Sequence, residues 1–507
     1  MPAVAFALIA LFVWPPDAWA ESQSSTSAHR VDITRYQVPH DVPQGRGANT
    51  QDLAVFAWQE FIALNWPAID PATSGQRGRP DPQRHFSDAD PGLTVWQTYR
   101  HRNEQFPANG KTDPSFDSKA PAYDYAVSIT PATTDTRLDL FNNLDESSQI
   151  GLCVLCANNV PDCGRDAASD RFRFLYEAKM NRALYDYANQ AGLTDSSNSF
   201  ATLNAKRTKT SGDLLSYGGI CSSKDADSIV MLPCGDNSVA GDAGEGAIET
   251  KAAWRRLTEQ EMKSGRFYTS TVLYYEETEK GIVAHNDTFG LVALHIIHKT
   301  QSFPTFVFAT WEQVDAYDGS NTSGLVFHNT GTPLPDIPVT RAHPIPADIQ
   351  AITDDVHAQI DNVWKYYRLI NVQAQPVDGP PPAGAPTDVL SYYYLANIAV
   401  ETNQTLQNFF GKAPSGVVEP AQNVYTGGKS YQMGGCQGCH GTQGQVPGGD
   451  MSVLIATAPF NTKVPEGFNA GESSTVASAR ARFAASGYLR GDAARTPSDS
   501  DPQGDQP

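Results

Sequence analysis

The sequence lacks concentrated positive charge. Its 507 residues include 37 Lys and Arg against 56 Asp and Glu, which gives a formal net charge of −19 at pH 7, and the basic residues form no block. Nucleic-acid binding depends on clustered Lys and Arg that neutralise phosphates, so we expect no nucleic-acid partner. The acidic surface instead favours solubility and could attract basic partner proteins.

Long apolar runs are also missing beyond the start of the chain. After the first 20 residues, no stretch approaches the roughly 18 consecutive apolar residues that a membrane-spanning helix requires, so we expect no transmembrane span. At the start, residues 3–14 form a short apolar run, followed by the small-x-small sequence of residues 18–20 and a polar stretch. This order is typical of a signal peptide cleaved after Ala20. The sequence therefore predicts export to the periplasm, with residues 1–20 removed.

Several common catalytic signatures do not occur. The chain contains no G-x-S-x-G elbow, P-loop, H-E-x-x-H zinc motif or dinucleotide-binding fingerprint. Its composition, 40% hydrophobic, 10% aromatic and 18% charged, is that of an ordinary globular protein and excludes a chain that is disordered throughout. The chemistry must therefore come from a different kind of motif.

The residue patterns predict an α+β fold with two unequal parts. A Pro-rich stretch over 375–386 is the best domain boundary. It separates a large domain of residues 21–385, with a mostly antiparallel sheet flanked by helices, from a smaller helical segment of residues 386–490 and a disordered tail of residues 491–507. Strands are expected over 267–276, 281–285, 288–300 and 303–315. Helices are expected over 52–65, 94–106, 170–192, 349–367, 388–411 and 474–485.

One short motif carries recognisable chemistry. Cys436-Gln437-Gly438-Cys439-His440 is C-x-x-C-H, the attachment signature of c-type haem. Two thiols three positions apart can add to the two vinyl groups of one porphyrin, and the adjacent His440 can supply its imidazole to the iron. A thioredoxin-like pair would need a preceding strand of a βαβ unit, which the sequence does not indicate. A zinc site would need further Cys or His nearby, and none follows His440.

The sequence around this motif resembles known proteins. YQMGGCQGCHG, at 431–441, is similar to the haem-binding segment of exported bacterial c-type cytochromes. FIALNWP (61–67), HIIHKT (295–300) and FATWEQVD (308–315) resemble stretches of bacterial cytochrome c family proteins that have a large N-terminal domain. The resemblance implies one covalent haem c on Cys436 and Cys439, with His440 as the proximal iron ligand. It implies no particular activity.

The distal iron ligand is left open by the sequence. Small cytochromes c use a methionine well after the histidine, but here the only one is Met451, eleven positions on, where an apolar pattern favours packing. His295 and His298 are further candidates. On a strand their odd separation places them on opposite faces, so at most one could reach a shared site.

That ligand determines which function is expected. A six-coordinate iron suits electron transfer, either as a carrier or as the electron-transfer module of a redox enzyme. An open distal position suits a peroxidase- or oxygenase-type oxidoreductase, or a haem-based periplasmic sensor or binding protein. The additional residues of the large domain indicate a further partner, which is either a redox protein or a small-molecule substrate.

Five cysteines remain outside the motif: Cys153, Cys156, Cys163, Cys221 and Cys234. In an oxidising compartment they are expected to form disulfides, with two bridges and one remaining thiol. A bridge from Cys221 to Cys234 would close a short loop. The full pairing does not follow from the sequence.

Overall fold

The computed structural model describes residues 29–146, 175–194, 200–257, 259–315, 344–378, 395, 397, 422–457 and 464–465. Several expectations fall outside these residues: the signal peptide, Cys153, Cys156 and Cys163, most of the Pro-rich stretch, the helices over 388–411 and 474–485, and the tail. None of the helices within the described residues is long and apolar enough to cross a bilayer.

The described residues form a mixed α/β fold around one large sheet and a separate hairpin. The strands are β1 Arg100–His101, β2 Ile129–Pro131, β3 Asn143–Leu144, β4 Leu175–Met180, β5 Ile248–Arg256, β6 Thr269–Thr278, β7 Gly281–His298, β8 Val307–Gln313, β9 Tyr367–Gln373, β10 Gln422–Thr426 and β11 Lys429–Met433. The helices are α1 Thr50–Leu64, α2 Pro71–Ser74, α3 Arg102–Gln105, α4 Arg182–Gln190, α5 Ala201–Gly212, α6 Leu214–Tyr217, α7 Glu259–Ser264, α8 Ala347–His357, α9 Gly435–Gly448 and α10 Val453–Thr457.

The 18-residue strand β7 is the axis of the large sheet. Its first half pairs with β6 and β2, and its second half pairs with β5 and β8. Beyond β5 lie β4 and β1, and beyond β8 lies β9. Two pairings are parallel, that of β2 with β7 and that of β3 with β6. The other pairings named here are antiparallel. The expected large, mostly antiparallel sheet is therefore confirmed.

The sheet nearly closes on itself. Just beyond β3, Glu146 exchanges two backbone hydrogen bonds with Tyr176 of β4, at N···O distances of 3.1 and 2.8 Å. This bridge links the β3–β6 side of the sheet to the β4–β5 side. Large aromatic side chains fill the interior, and Trp58, Trp254 and Trp311 are fully buried.

Several of the sequence predictions for strands and helices are corrected. The runs over 281–285 and 288–300 form the single strand β7. Asn286 and Asp287 lie between the two runs at the surface, and both still pair with residues of β6, so the strand is not interrupted. The helix expected over 170–192 is, in its described part, strand β4 followed by α4. Pairing with β1 and β5 buries all six residues of β4 and overrides the helical pattern.

The remaining corrections concern three of the predicted helices. The segment over 94–106 is a 3-10 turn, β1 and the short α3, because β1 pairs with β4. The segment over 349–367 contains α8, then a 3-10 turn, and strand β9 begins at Tyr367. Helix α1 begins at Thr50, two residues before the expected start, and its N-cap is Asn49. Asp52 completes a capping box with Asn49.

Candidate functional site

The C-x-x-C-H motif lies in the first two turns of helix α9, directly after a β-hairpin. Cys436 and Cys439 are three positions apart in the helix, so both thiols lie on neighbouring turns of one face. Cys436 is buried and Cys439 is half-buried, and neither forms a disulfide. His440 follows in the same helix.

The hairpin of β10 and β11 corrects the expectation that no strand precedes Cys436. Strand β11 ends two residues before the helix, and it pairs antiparallel with β10. Within the described residues it has no parallel partner, so the arrangement is not the βαβ unit of a thioredoxin-like site. The two-residue loop Gly427-Gly428, with φ of 59° and 75°, is the sequence signal that would have predicted this hairpin.

Gln437, between the two cysteines, docks the helix onto the large sheet. Its side chain is fully buried. Its Nε2 donates to the carbonyl of Ala374, just after β9, at 2.8 Å, and to Oγ1 of Thr305 at 3.1 Å. Its own backbone N–H donates to Oε1 of Gln373 at 2.6 Å. The motif is therefore held against the end of the sheet where β8 begins and β9 ends.

Close packing of the hairpin on the helix requires a glycine inside the motif. A Cβ at Gly438 would lie 2.2 Å from the carbonyl oxygen of Met433, the last residue of β11. That separation is far below van der Waals contact, so any larger residue would displace the hairpin from the helix. Gly438 thus keeps the segment between the cysteines compact.

The His440 imidazole is oriented by a backbone carbonyl. Its Nδ1 lies 2.6 Å from the carbonyl oxygen of Met451, and its ring packs edge-on against Phe308 of β8 with centroids 4.8 Å apart. Because a carbonyl can only accept, Nδ1 carries a proton, and in the neutral ring the lone pair therefore lies on Nε2. This is the tautomer that a metal-binding histidine needs, with its second nitrogen held by an acceptor.

The turn that presents this carbonyl has an unusual backbone. Asp450 and Met451 are consecutive non-glycine residues in the left-handed region, with φ of 52° and 68°. Such conformations persist only where surrounding contacts impose them. The Asp450 carboxylate accepts from the backbone N–H of Leu232 at 2.7 Å and forms a fully buried ion pair with Nζ of Lys299.

Burial changes the acid–base behaviour of this turn and its neighbours. Desolvation raises the pKa of Asp450 to about 6, opposed by the Lys299 ammonium, and desolvation lowers the pKa of Lys299. Glu249 of β5 is also buried. Desolvation raises its pKa to about 8, and the Ser452 hydroxyl only partly opposes this rise.

His298, a candidate distal ligand, has other partners in the structure. It is fully buried, and its ring stacks on Phe56 with centroids 5.8 Å apart. Its Nδ1 contacts the Glu60 carboxylate and its Nε2 contacts the carbonyl oxygen of Glu245. Both nitrogens are therefore used within the protein, and neither remains for iron.

The other two distal candidates are placed differently. His295 is half-buried on β7, opposite Lys251 of β5 and Thr310 of β8. The Met451 side chain is fully buried, which fits the packing role that the sequence favours. The contact of Met451 with His440 is made by its backbone carbonyl, and the sequence pattern gives no indication of this role.

A disulfide joins Cys221 to Cys234, one of the pairings that the sequence left open. It closes a loop that lies between the sheet and the motif. Leu232 in this loop binds Asp450, and the carbonyl of nearby Gly219 accepts from Oγ1 of Thr426 in β10 at 2.9 Å. The bridge therefore fixes a loop that contacts the turn beside His440, and Gly219, two residues before the loop, contacts the hairpin.

The described residues contain no group of three or more His, Cys, Asp or Glu side chains placed to hold a metal ion directly. A covalently attached haem does fit these residues, which are two thiols on neighbouring turns, outside any disulfide, and an adjacent imidazole that is protonated at Nδ1.

Comparisons with models of protein families, with curated proteins and with solved structures found no match to this chain.

Proposed function

We propose that this chain binds one haem c covalently through Cys436 and Cys439, with His440 as the proximal iron ligand, and transfers electrons. The observation that carries the proposal is the hydrogen bond from His440 Nδ1 to the Met451 carbonyl, in a helix that also presents the two thiols. Residues 386–490 would then form a small cytochrome c-like segment attached to the large α+β domain.

When bound, the haem would supply an iron that takes up and releases one electron. The protein's own residues would hold and orient it. The two cysteines would form thioether bonds, the Met451 carbonyl would fix the tautomer and the ring orientation of His440, and Gln437 would keep the helix against the sheet. A rigid attachment of this kind limits reorganisation around the iron.

The large domain supports a role beyond that of a simple carrier. The motif helix contacts the ends of β8 and β9, so a substrate or a partner protein bound to the sheet domain would lie within one folded body with the haem. We therefore propose either an electron-transfer protein with a docking domain for its partner, or the electron-transfer module of an oxidoreductase. Export by the signal peptide would place the protein in the periplasm.

The test is to express the full chain in a host that matures c-type cytochromes and to record its absorption spectrum and intact mass. We expect a Soret band and the added mass of one haem in periplasmic protein. C436S/C439S should lose both, whereas the matched control C221S/C234S should keep both. Wild-type protein at apoprotein mass without a Soret band would refute the proposal, and a reversible Cys436–Cys439 disulfide in that protein would favour a dithiol redox pair.

The same protein distinguishes electron transfer from the alternatives. Low-spin iron that does not bind carbon monoxide indicates two axial ligands and favours electron transfer. High-spin iron that binds carbon monoxide readily would instead support a peroxidase- or oxygenase-type enzyme or a haem-based sensor.

A further inference from the structure

The carbonyl that orients His440 lies in a turn that the local chain does not favour. Asp450 and Met451 both have positive φ, and neither is glycine. Each such residue is less favourable than one with ordinary backbone angles. Local hydrogen bonds, including Ser452 N–H to the Gly449 carbonyl at 3.0 Å, close the turn but do not connect it to the sheet. Another contact must fix where its carbonyl points.

The contact that links the turn to the end of β7 comes from Lys299, the residue directly after that strand; Asp450 also accepts from the Leu232 N–H, and the Ser452 hydroxyl interacts with Glu249 of β5. The backbone of Lys299 is fixed on both sides, because its N–H donates to the Ala247 carbonyl at 3.0 Å and its own carbonyl accepts from the N–H of Gly235 at 2.7 Å. Its ammonium is fully buried and pairs with the Asp450 carboxylate. The pair thus connects a fixed strand end to the residue before Met451. Lys299 and Asp450 are 151 positions apart in the chain.

We propose that Lys299 and Asp450 are positioning residues for the proximal histidine. By fixing the turn, they keep the Met451 carbonyl on Nδ1 of His440, and so they set the electron density that the imidazole gives to the iron. This inference rests on the proposed haem site but concerns a different set of residues. A strong acceptor on Nδ1 makes the imidazole more basic and favours ferric iron, so loss of the pair should raise the reduction potential.

The first experiment compares holoprotein variants by potentiometric titration. D450A removes both contacts of the carboxylate, whereas D450N keeps a neutral acceptor for the Leu232 N–H. E104Q is the matched control, because Glu104 is equally buried and paired with Arg77 and Arg100, on α3 rather than beside the motif. We expect the midpoint potential to rise in D450A, to rise less in D450N, and to stay at the wild-type value in E104Q.

Stability alone would not produce this pattern. If E104Q shifted the potential as much as D450A, or if folded D450A kept the wild-type potential, the positioning role would be refuted. The two variants also test whether loss of the negative charge alone changes the potential. If it did, D450N would shift the midpoint potential at least as much as D450A.

A second measurement does not need the haem. In the full-length C436S/C439S protein, selective ¹⁵N labelling of histidine reports which nitrogen of His440 carries the proton. We expect the Nδ1–H form when Asp450 is present, and a mixture of the two tautomers in C436S/C439S/D450A. An unchanged tautomer would refute the role of the ion pair. A wild-type chain that never acquires haem would instead refute the proposed function, and this tautomer measurement would still decide the positioning role.

Discussion

The end of β7 and the start of α9 each place a histidine against the same sheet, but in different ways. At the end of β7, His298 is fully buried and both of its nitrogens contact protein groups, the Glu60 carboxylate and the Glu245 carbonyl. At the start of α9, His440 is half-buried beside two thiols, and the Met451 carbonyl fixes its proton on Nδ1. The comparison shows two settings for a histidine: both nitrogens of His298 hold buried protein groups, whereas a backbone carbonyl sets the Nδ1 proton of His440.

The largest expected effect is on the haem spectrum. H440A should remove the proximal ligand and change the spin state and the Soret position, while the thioethers keep the haem attached. H298A should leave the spectrum of the folded protein unchanged. Absorption and electron paramagnetic resonance spectra of the two variants check this, and a spectral change in H298A as large as that in H440A would overturn the distinction between the two histidines.

For the stability of the fold, we expect His298 to be the important histidine. Removing His298 leaves the Glu60 carboxyl buried without its partner, and breaking a buried pair in this way typically costs about 3–5 kcal/mol. H295A, at a half-buried position of the same strand, is the control, and it should cost less than about 1 kcal/mol. Chemical denaturation followed by circular dichroism measures both. Equal losses in H298A and H295A would show that the buried pair is unimportant.

Much of the sheet could be predicted from the sequence because its strands have local signals. The alternating and β-branched residues of β6, β7 and β8 lie between turn residues. Strand β4 could not be predicted, since its helical pattern is overridden by pairing with β1 and β5. The Gly427-Gly428 turn, by contrast, is a local signal that indicates the hairpin.

Part of the candidate site could likewise be predicted from the sequence, and part could not. The spacing of Cys436, Cys439 and His440 identifies the reactive groups, because covalent attachment depends on local spacing. The carbonyl of Met451 could not be identified, since every residue has one and only tertiary structure selects it. Lys299 and Asp450 are separated by 151 positions, and no local pattern connects them.

A smaller effect is expected from the bridge that supports both regions. Removing the Cys221–Cys234 disulfide, whose cysteines are 13 positions apart, should cost about 3 kcal/mol. Because Leu232 in its loop contacts Asp450, and Gly219 just before the loop contacts Thr426, amides of the hairpin and of the turn at 449–452 should exchange faster in C221S/C234S, and those in the middle of β7 should change least. Hydrogen exchange with mass spectrometry measures this. Uniform acceleration across the sheet would contradict a local role.

A pH dependence of stability is expected from a residue between the two regions, Glu249 of β5. Desolvation raises its pKa from 4.5 to about 8 in the folded protein. Between these values the folded state retains a proton that the unfolded chain releases, so the free energy of unfolding falls as pH rises, by up to about 1.4 kcal/mol per pH unit. Below pH 4.5 both states are protonated, so this group has no effect there.

E249Q keeps the shape of the side chain and removes the proton. Its stability should therefore fall less steeply than that of the wild type between pH 5 and 8, and it should exceed the wild type near pH 8. Denaturation midpoints measured across this range check the difference. Glu245, whose pKa desolvation raises to about 7, leaves a residual slope in both proteins, so the comparison depends on the difference between them. Parallel profiles would show that Glu249 is ionised or hydrated in the folded state, and that the region between the sheet and α9 is less dry than its burial indicates.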